Sequence, residues 1–128
     1  MTIADDFTRL YADALVWDQH TCLALEPPGD VSELLRFHAA GASLISLNVG
    51  FGKHGPEEVA VAIDSFRKQL AAGPEQLRLV GTLAELDAAR AEGAAGVVFD
   101  LEGADALGGS LARVGEYYGA GVRTLLMA

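Results

Sequence analysis

Two spacings of apolar residues alternate along this chain. Short apolar runs predict β-strands, and the segments between them carry apolar residues every three to four positions, which predicts amphipathic helices. The strands are predicted to start near Leu15, to cover residues 43–49, 77–80 and 95–101, and to start again near Val122. A helix before the first strand and four helices between the strands complete the order. That order predicts an α/β fold with a parallel sheet built from right-handed crossover units.

Residues that favour helix starts stand where these helices are expected to begin. Thr2 can cap the first helix, Asp30 the second and Thr82 the fourth, because their side-chain oxygens can accept from free backbone N–H groups. Pro56 suits the first position of the third helix, where its missing N–H costs nothing. The capping residues therefore support the helix positions that the apolar spacing predicts.

Two architectures fit this order of elements. The apolar run from Val122 continues to the last residue with no helix after it. A complete (β/α)₈ barrel needs eight strands and at least roughly 200 residues, so residues 1–128 would form the N-terminal portion of one, a single partial domain of about five strands truncated at its C-terminus. A complete five-stranded doubly wound sheet is the competing fold.

The candidate chemistry follows two of the predicted strands. The first strand leads into Asp18, His20 and Cys22, which regular strand alternation would place on one face. A carboxylate, an imidazole and a thiol together are a ligand set that zinc accepts. The fourth strand ends at Asp100 and Glu102, and if the two strands are neighbours their ends lie side by side. The sequence therefore predicts one metal centre that uses both strand ends.

Composition narrows the possible partners. The net charge of −9 repels nucleic acid and anionic membranes, and no cluster of the 9 basic residues offsets it. No apolar run is long enough to cross a bilayer and the first residues do not resemble a signal peptide, so a cytoplasmic protein is expected. A single cysteine cannot form an internal disulfide, which leaves Cys22 as a core thiol, a reactive thiol or a ligand.

The sequences around the two strand ends also carry a family resemblance. Residues 18–22 (DQHTC) and 99–109 (FDLEGADALGG), followed by Leu111, Tyr117-Tyr118 and residues 121–125 (GVRTL), resemble the membrane (renal-type) dipeptidase family of zinc peptidases, which are of the amidohydrolase type. Two motifs in the right order and separation are moderately specific, whereas either one alone would be weak. The resemblance covers nearly the whole chain but only the N-terminal part of the family's domain.

The resemblance implies a fold, an activity and a ligand set. It implies a (β/α)₈ barrel with two metal ions, taken to be zinc, at the C-terminal ends of the strands, and dipeptides as substrates. His20 would bind the first ion and Glu102 would bridge the two. The family has Asp where this chain has Cys22, which remains a metal ligand if its thiol is ionised. Asp18 is expected to orient the imidazole as a hydrogen-bond acceptor.

The implied reaction is hydrolysis by a metal-activated water, with Glu102 as the catalytic bridging carboxylate. The family's remaining histidine ligands come from later strands, so this chain is expected to lack the complete site. One alternative is a non-catalytic half-barrel that self-associates through an exposed sheet edge. A less favoured one is a receiver-like signalling module, which lacks its paired acids and its lysine here. Asp100 is assigned no function. His54 follows the second strand, at the end of a barrel where it could touch substrate, but is taken as a solvated loop residue.

Overall fold

A computed structural model describes residues 3–127, and the predicted cap Thr2 lies outside that range. The predicted elements are confirmed, with shifts of a few residues at their ends. The strands are β1 Trp17–Thr21, β2 Leu44–Phe51, β3 Leu77–Leu79, β4 Ala95–Glu102 and β5 Val122–Leu126. The helices are α1 Ile3–Asp13, α2 Leu35–Ala39, α3 Pro56–Ala72, α4 Leu83–Ala91 and α5 Ala112–Ala120, with short 3₁₀ turns at Val31–Leu34 and Asp105–Leu107.

The helix starts follow the predicted capping chemistry. Asp30 accepts from the backbone N–H of Ser32 at 2.8 Å, before the 3₁₀ turn that leads into α2. At α4, Thr82 and Glu85 form a reciprocal capping box, in which each side chain accepts from the other residue's backbone N–H. Pro56 occupies the first position of α3. Local hydrogen bonding thus accounts for where these helices begin.

All strand pairs in the sheet are parallel, but the strands do not follow chain order. β1 pairs with β2, and β2 pairs with one whole edge of β4. The other edge of β4 is shared, with β3 beside its first half and β5 beside its second half. The first and fourth strands are therefore not neighbours, because β2 lies between them.

The two faces of this sheet differ. The outer face carries the main apolar core, in which β2 and β4 residues pack against α3 and α5: Ile45, Leu47, Val49, Val97, Phe99 and Leu101. The inner face carries the alternate residues of the same strands. Its lower part, at the start of the strands, is covered by α4, whose Leu86 packs with Leu44 and Val98. The upper inner face, at the strand ends, has no such apolar cover among the described residues.

Helix α1 forms as predicted, yet its apolar stripe is not buried. Ile3, Phe7 and Leu10 are each at least 66% exposed. Near the end of α1, the Tyr11 hydroxyl donates to the carbonyl of Ala40 at 3.0 Å, which links the helix to the rest of the domain. None of the helices within residues 3–127 has the length and apolar character needed to cross a bilayer.

Candidate metal centre

A β-bulge near the end of β1 sets the direction of its side chains. Trp17 pairs with Leu44 and Asp18 with Ile45, but the next paired residue, Thr21, is opposite Leu47. Three steps along β1 therefore match two along β2, and such an extra residue re-aims the side chains around it. The prediction that Asp18 and His20 share a face by regular alternation is consequently wrong. Asp18 is registered with the outer face, whereas His20 reaches the inner one.

The imidazole of His20 is the point at which the candidate residues meet. Its Nδ1 lies 2.6 Å from Oδ2 of Asp100. Its Nε2 lies 3.4 Å from Oε2 of Glu102 and 3.5 Å from Sγ of Cys22. Although β2 separates β1 from β4, the side chains at the two strand ends reach hydrogen-bonding distance of each other.

The carboxylate that contacts the imidazole of His20 is not Asp18, the residue predicted for this position. Asp18 Oδ1 accepts from the backbone N–H of His20 at 3.1 Å, which supports the bulge instead of the ring. Asp100, for which no function is expected from the sequence, takes the position on Nδ1. The sequence contained an indication of this role of Asp100, because a carboxylate inside an apolar strand needs a hydrogen-bonding partner when the strand is buried. In the structure Asp100 is 0% exposed.

Burial and charge shape the protonation of this cluster. The pKa of His20 is raised, chiefly because its ring hydrogen-bonds to Asp100 and despite partial desolvation. Burial raises the pKa of Asp100 against the opposing hydrogen bonds from His20 and Asn48. Burial also raises the pKa of the Cys22 thiol, and the charges of Asp100 and Glu102 add to that. All three shifts favour the protonated forms, and a bound cation would act in the opposite direction.

The spacing of the donor atoms around His20 corresponds to that of ligands on one zinc ion. Tetrahedral zinc with bonds of about 2.0–2.3 Å separates a nitrogen from an oxygen or sulfur ligand by roughly 3.3–3.6 Å. The observed separations of 3.4 Å and 3.5 Å from Nε2 fall in that range. Within residues 3–127, however, no three His, Cys, Asp or Glu side chains already form a group able to hold a metal. The donor types and pair distances fit zinc, while the described part of the chain does not enclose it.

A pocket of about 470 Å³ opens beside Cys22 and Glu102. The loops after β1 and β2 supply most of its lining: Leu23, Ala24, Leu25, Glu26, Phe51, Lys53 and His54. His54 is only 7% exposed, so its expected place as a solvated loop residue is wrong. Its Nε2 lies 3.2 Å from Glu26 Oε1 and its Nδ1 2.6 Å from the carbonyl oxygen of Phe51. This histidine therefore connects the two loops at the wall of the pocket.

Comparison with protein families settles the relationship that the strand ends suggest. Residues 30–128 match the model of the membrane dipeptidase family, peptidase family M19. The chain belongs to this family. The match includes Glu102 but begins after His20 and Cys22, so the assignment of those two residues does not rest on it. No match was found among curated proteins.

Solved structures share the fold of this family member at low sequence identity. An amidohydrolase from Pseudomonas aeruginosa has a TM-score of 0.83 at 17% identity over 94% of this chain and 36% of its own. The dipeptidase AC, a metallopeptidase of family M19, has 0.70 at 16% over 88% and 42%. The probable dipeptidase PvdM from Pseudomonas aeruginosa has 0.74 at 15% over 97% and 37%. The chain thus spans about two fifths of the length of these proteins.

These comparisons decide between the predicted architectures. The α/β fold, as the portion of a barrel, is confirmed by the family and by the structural neighbours. The receiver-like alternative is wrong, because that fold has strand order 2-1-3-4-5 with the first strand inside the sheet. Here β1 pairs only with β2 among the described strands and lies at an edge.

Proposed function

We propose that this M19 family member hydrolyses dipeptides with a metal-activated water, and that His20, Cys22 and Glu102 are its contribution to a zinc centre of two ions. The observation that carries the proposal is the convergence of Cys22 and Glu102 on one nitrogen of His20, at 3.5 Å and 3.4 Å. Because the chain spans 36–42% of its structural neighbours, other residues of a complete enzyme would supply the remaining ligands.

Zinc bound there would lower the pKa of a coordinated water and polarise the peptide carbonyl. The chain's own residues prepare the place for it. Asp100 accepts from Nδ1 of His20, which leaves the lone pair of Nε2 directed at the other two donors. Glu102 is proposed as the carboxylate shared between the two ions. Cys22 has to lose its thiol proton, which a neighbouring cation favours and burial opposes.

The pocket beside these donors indicates the kind of substrate. Its lining is mainly apolar, from Leu23, Leu25 and Phe51, with Lys53 and Glu26 as charged groups. An apolar side chain of a dipeptide would bury surface against this lining, and the charged groups match the termini of a zwitterion. The net charge of −9 disfavours nucleic acid and anionic membrane as partners. Self-association through an exposed sheet edge stays a prediction.

Hydrolysis of dipeptides with apolar residues, such as Leu-Leu, tests the proposal in the full-length form of the protein loaded with zinc. We expect Glu102→Gln to lower kcat/KM by at least about 100-fold, because loss of groups that only support metal ligands already costs about 10–100-fold. Glu116→Gln on the exposed surface of α5 is the matched control and should retain full activity. A wild-type protein that binds zinc and leaves dipeptides intact would contradict the proposed activity.

The proposed role of Cys22 has a test of its own. Cobalt in place of zinc gives a strong charge-transfer absorption when a thiolate is among its ligands. We expect this band in the wild-type chain and its loss in Cys22→Ser, together with weaker binding, because the soft thiolate is replaced by a hydroxyl. Unchanged metal stoichiometry and affinity in Cys22→Ser would exclude the cysteine as a ligand.

A further inference from the structure

A row of three polar residues crosses the inner face just below the candidate metal centre. In the sheet register, Asn48 of β2 is directly opposite Asp100 of β4, and Asp100 is directly opposite Thr124 of β5. Directly paired residues point to the same face, so these three side chains form one polar rung. The pairings of β2 with β4 and of β4 with β5 each have a register shift directly next to this rung. Bulges of this kind are frequent at barrel rims next to active sites, where they aim side chains.

Two oxygens of this polar rung lack partners in the described structure. Asp100 uses Oδ2 for His20, and its buried Oδ1 has no hydrogen bond. The hydroxyl of Thr124, also buried, has none either. A buried carboxylate oxygen without a donor is costly, and a hydroxyl hydrogen can rotate toward whichever acceptor is near. The register thus places two donors beside Asp100, Asn48 on one side and Thr124 on the other, and of these the Thr124 hydroxyl has no partner in the described structure.

Asn48 closes the rung on the other side and is itself fixed. Its Oδ1 accepts from the N–H of Gly50 at 3.1 Å, and its Nδ2 donates to the carbonyl of Gly50 at 3.2 Å. With 1% exposure, the amide has no freedom to follow movements of its neighbours. Asp100 therefore lies between a rigid amide and a hydroxyl, one on each flanking strand.

We propose that Asp100, held between Asn48 and Thr124, is the positioning residue that keeps the proton of His20 on Nδ1 and thereby leaves Nε2 free to bind metal. In this arrangement the Thr124 hydroxyl, which has no partner in the described structure, is the group that turns toward Oδ1 of Asp100 and holds the carboxylate plane in place. The metal part of this inference rests on the proposed function, whereas the position of the imidazole proton does not. A carboxylate on the remote nitrogen sets both the tautomer and the orientation of a metal-binding histidine.

The decisive variant is Asp100→Asn, which preserves the size and shape of the side chain. Its amide can donate to Nδ1 instead of accepting from it, so we expect the proton of the neutral ring to move to Nε2. Nitrogen NMR of the metal-free chain, recorded above the pH at which His20 loses its charge, reports which nitrogen carries the proton. Zinc affinity should fall about 10–100-fold in the same variant. Asp87→Asn, an exposed aspartate of α4, is the control and should change neither quantity.

The role of Thr124 is separated from general packing by a pair of conservative variants. Thr124→Val keeps the shape and removes the donor, and we expect weaker zinc binding and a mixture of His20 tautomers. Thr124→Ser keeps the hydroxyl and should restore both. Thr21→Val provides the matched control, since Thr21 is also a buried threonine whose hydroxyl has no partner in the described structure, but it is registered with Leu47 on the outer face.

The outcomes distinguish this inference from the proposed function. A wild-type chain with the proton of His20 on Nδ1 and no zinc binding would overturn the proposed function and its metal part, while supporting the positioning by Asp100. An Asp100→Asn chain that is folded by thermal unfolding and keeps the wild-type tautomer would overturn the inference. Wild-type zinc affinity in Asp100→Asn would overturn the metal part. Equal behaviour of Thr124→Val and the wild type would overturn the part assigned to Thr124.

Discussion

The outer and inner faces of β2 and β4 are built from alternate residues of the same two strands, yet they differ in nearly every respect. On the outer face, Ile45, Leu47, Val97, Phe99 and Leu101 are all 0% exposed and pack against helices. On the inner face, Leu44 and Val98 are followed by Asn48 and Asp100 as the strands approach their ends. One face is apolar throughout, and the other changes from apolar to polar along its length.

The difference shows that the residues that stabilise the fold and the residues of the candidate site lie on opposite faces of the sheet. Apolar burial stabilises the fold in proportion to the area removed from water, so the outer face supplies most of it. A buried carboxylate such as Asp100 costs free energy unless it is paired, and its pairing with His20 gives the polar end of the inner face a specific geometry. Substitutions on the two faces should therefore affect different measurements.

The largest expected effect on stability is on the outer face. Phe99→Ala should lower the free energy of unfolding by about 3–5 kcal/mol, because it removes a fully buried ring and leaves a cavity. The protein that remains folded should bind zinc with unchanged stoichiometry, since Phe99 faces away from the site. Denaturant unfolding and metal titration of the same sample check both statements. A loss of zinc stoichiometry in the folded fraction would mean that the faces are not independent.

A smaller effect is expected on the lower inner face, at Gly96. A Cβ there would lie 2.8 Å from Leu86 Cδ1 and 2.8 Å from Val80 Cγ2, both in the buried contact with α4. Gly96→Ala should therefore destabilise by about 1–3 kcal/mol through overpacking. Gly115→Ala in α5 is the control, because nothing lies within 4 Å of its Cβ position. That control should be neutral or stabilising by up to about 1 kcal/mol, since Ala favours helix over Gly.

The smallest expected effect concerns the pH dependence of stability that arises at the start of α4, the helix that covers the lower inner face. Backbone N–H donors of Gly81 and Thr82 lower the pKa of Glu85. On acidification, Glu85 therefore takes up its proton at a higher pH in the unfolded chain than in the folded one. The stabilisation from its hydrogen bonds is fully present at neutral pH. It is lost as the pH falls below the ordinary glutamate range and through the folded value. Glu85→Gln should therefore make the thermal midpoint fall less steeply with acidification than in wild type, whereas Glu116→Gln should not.

The sequence predicts the elements well because their signals are local. Apolar spacing and the caps at Asp30, Thr82 and Glu85 depend on neighbours within a few residues, and the structure has these helices and strands. The order of the strands is not local. Nothing in the residues near Leu77 indicates that β3 pairs with β4 on the edge opposite β2.

The candidate site was predictable only in part for the same reason. His20, Cys22 and Glu102 stand out by residue type and strand position, and the structure brings them together. The bulge in β1 depends on pairing with β2, so regular alternation misassigns the face of Asp18. The burial of His54 likewise depends on Glu26 from another loop. Asp100 could have been identified, because a buried carboxylate in an apolar strand requires a partner.

The polar end of the inner face is proposed to bind zinc. The most direct test of this proposal is a zinc titration of the purified 128-residue chain beside a His20→Ala, Glu102→Ala double variant, with thermal unfolding to show that both are folded. We expect stoichiometric binding by the wild-type chain and none by the double variant. Failure of the folded wild-type chain to bind zinc, or equal binding by the double variant, would contradict the proposal.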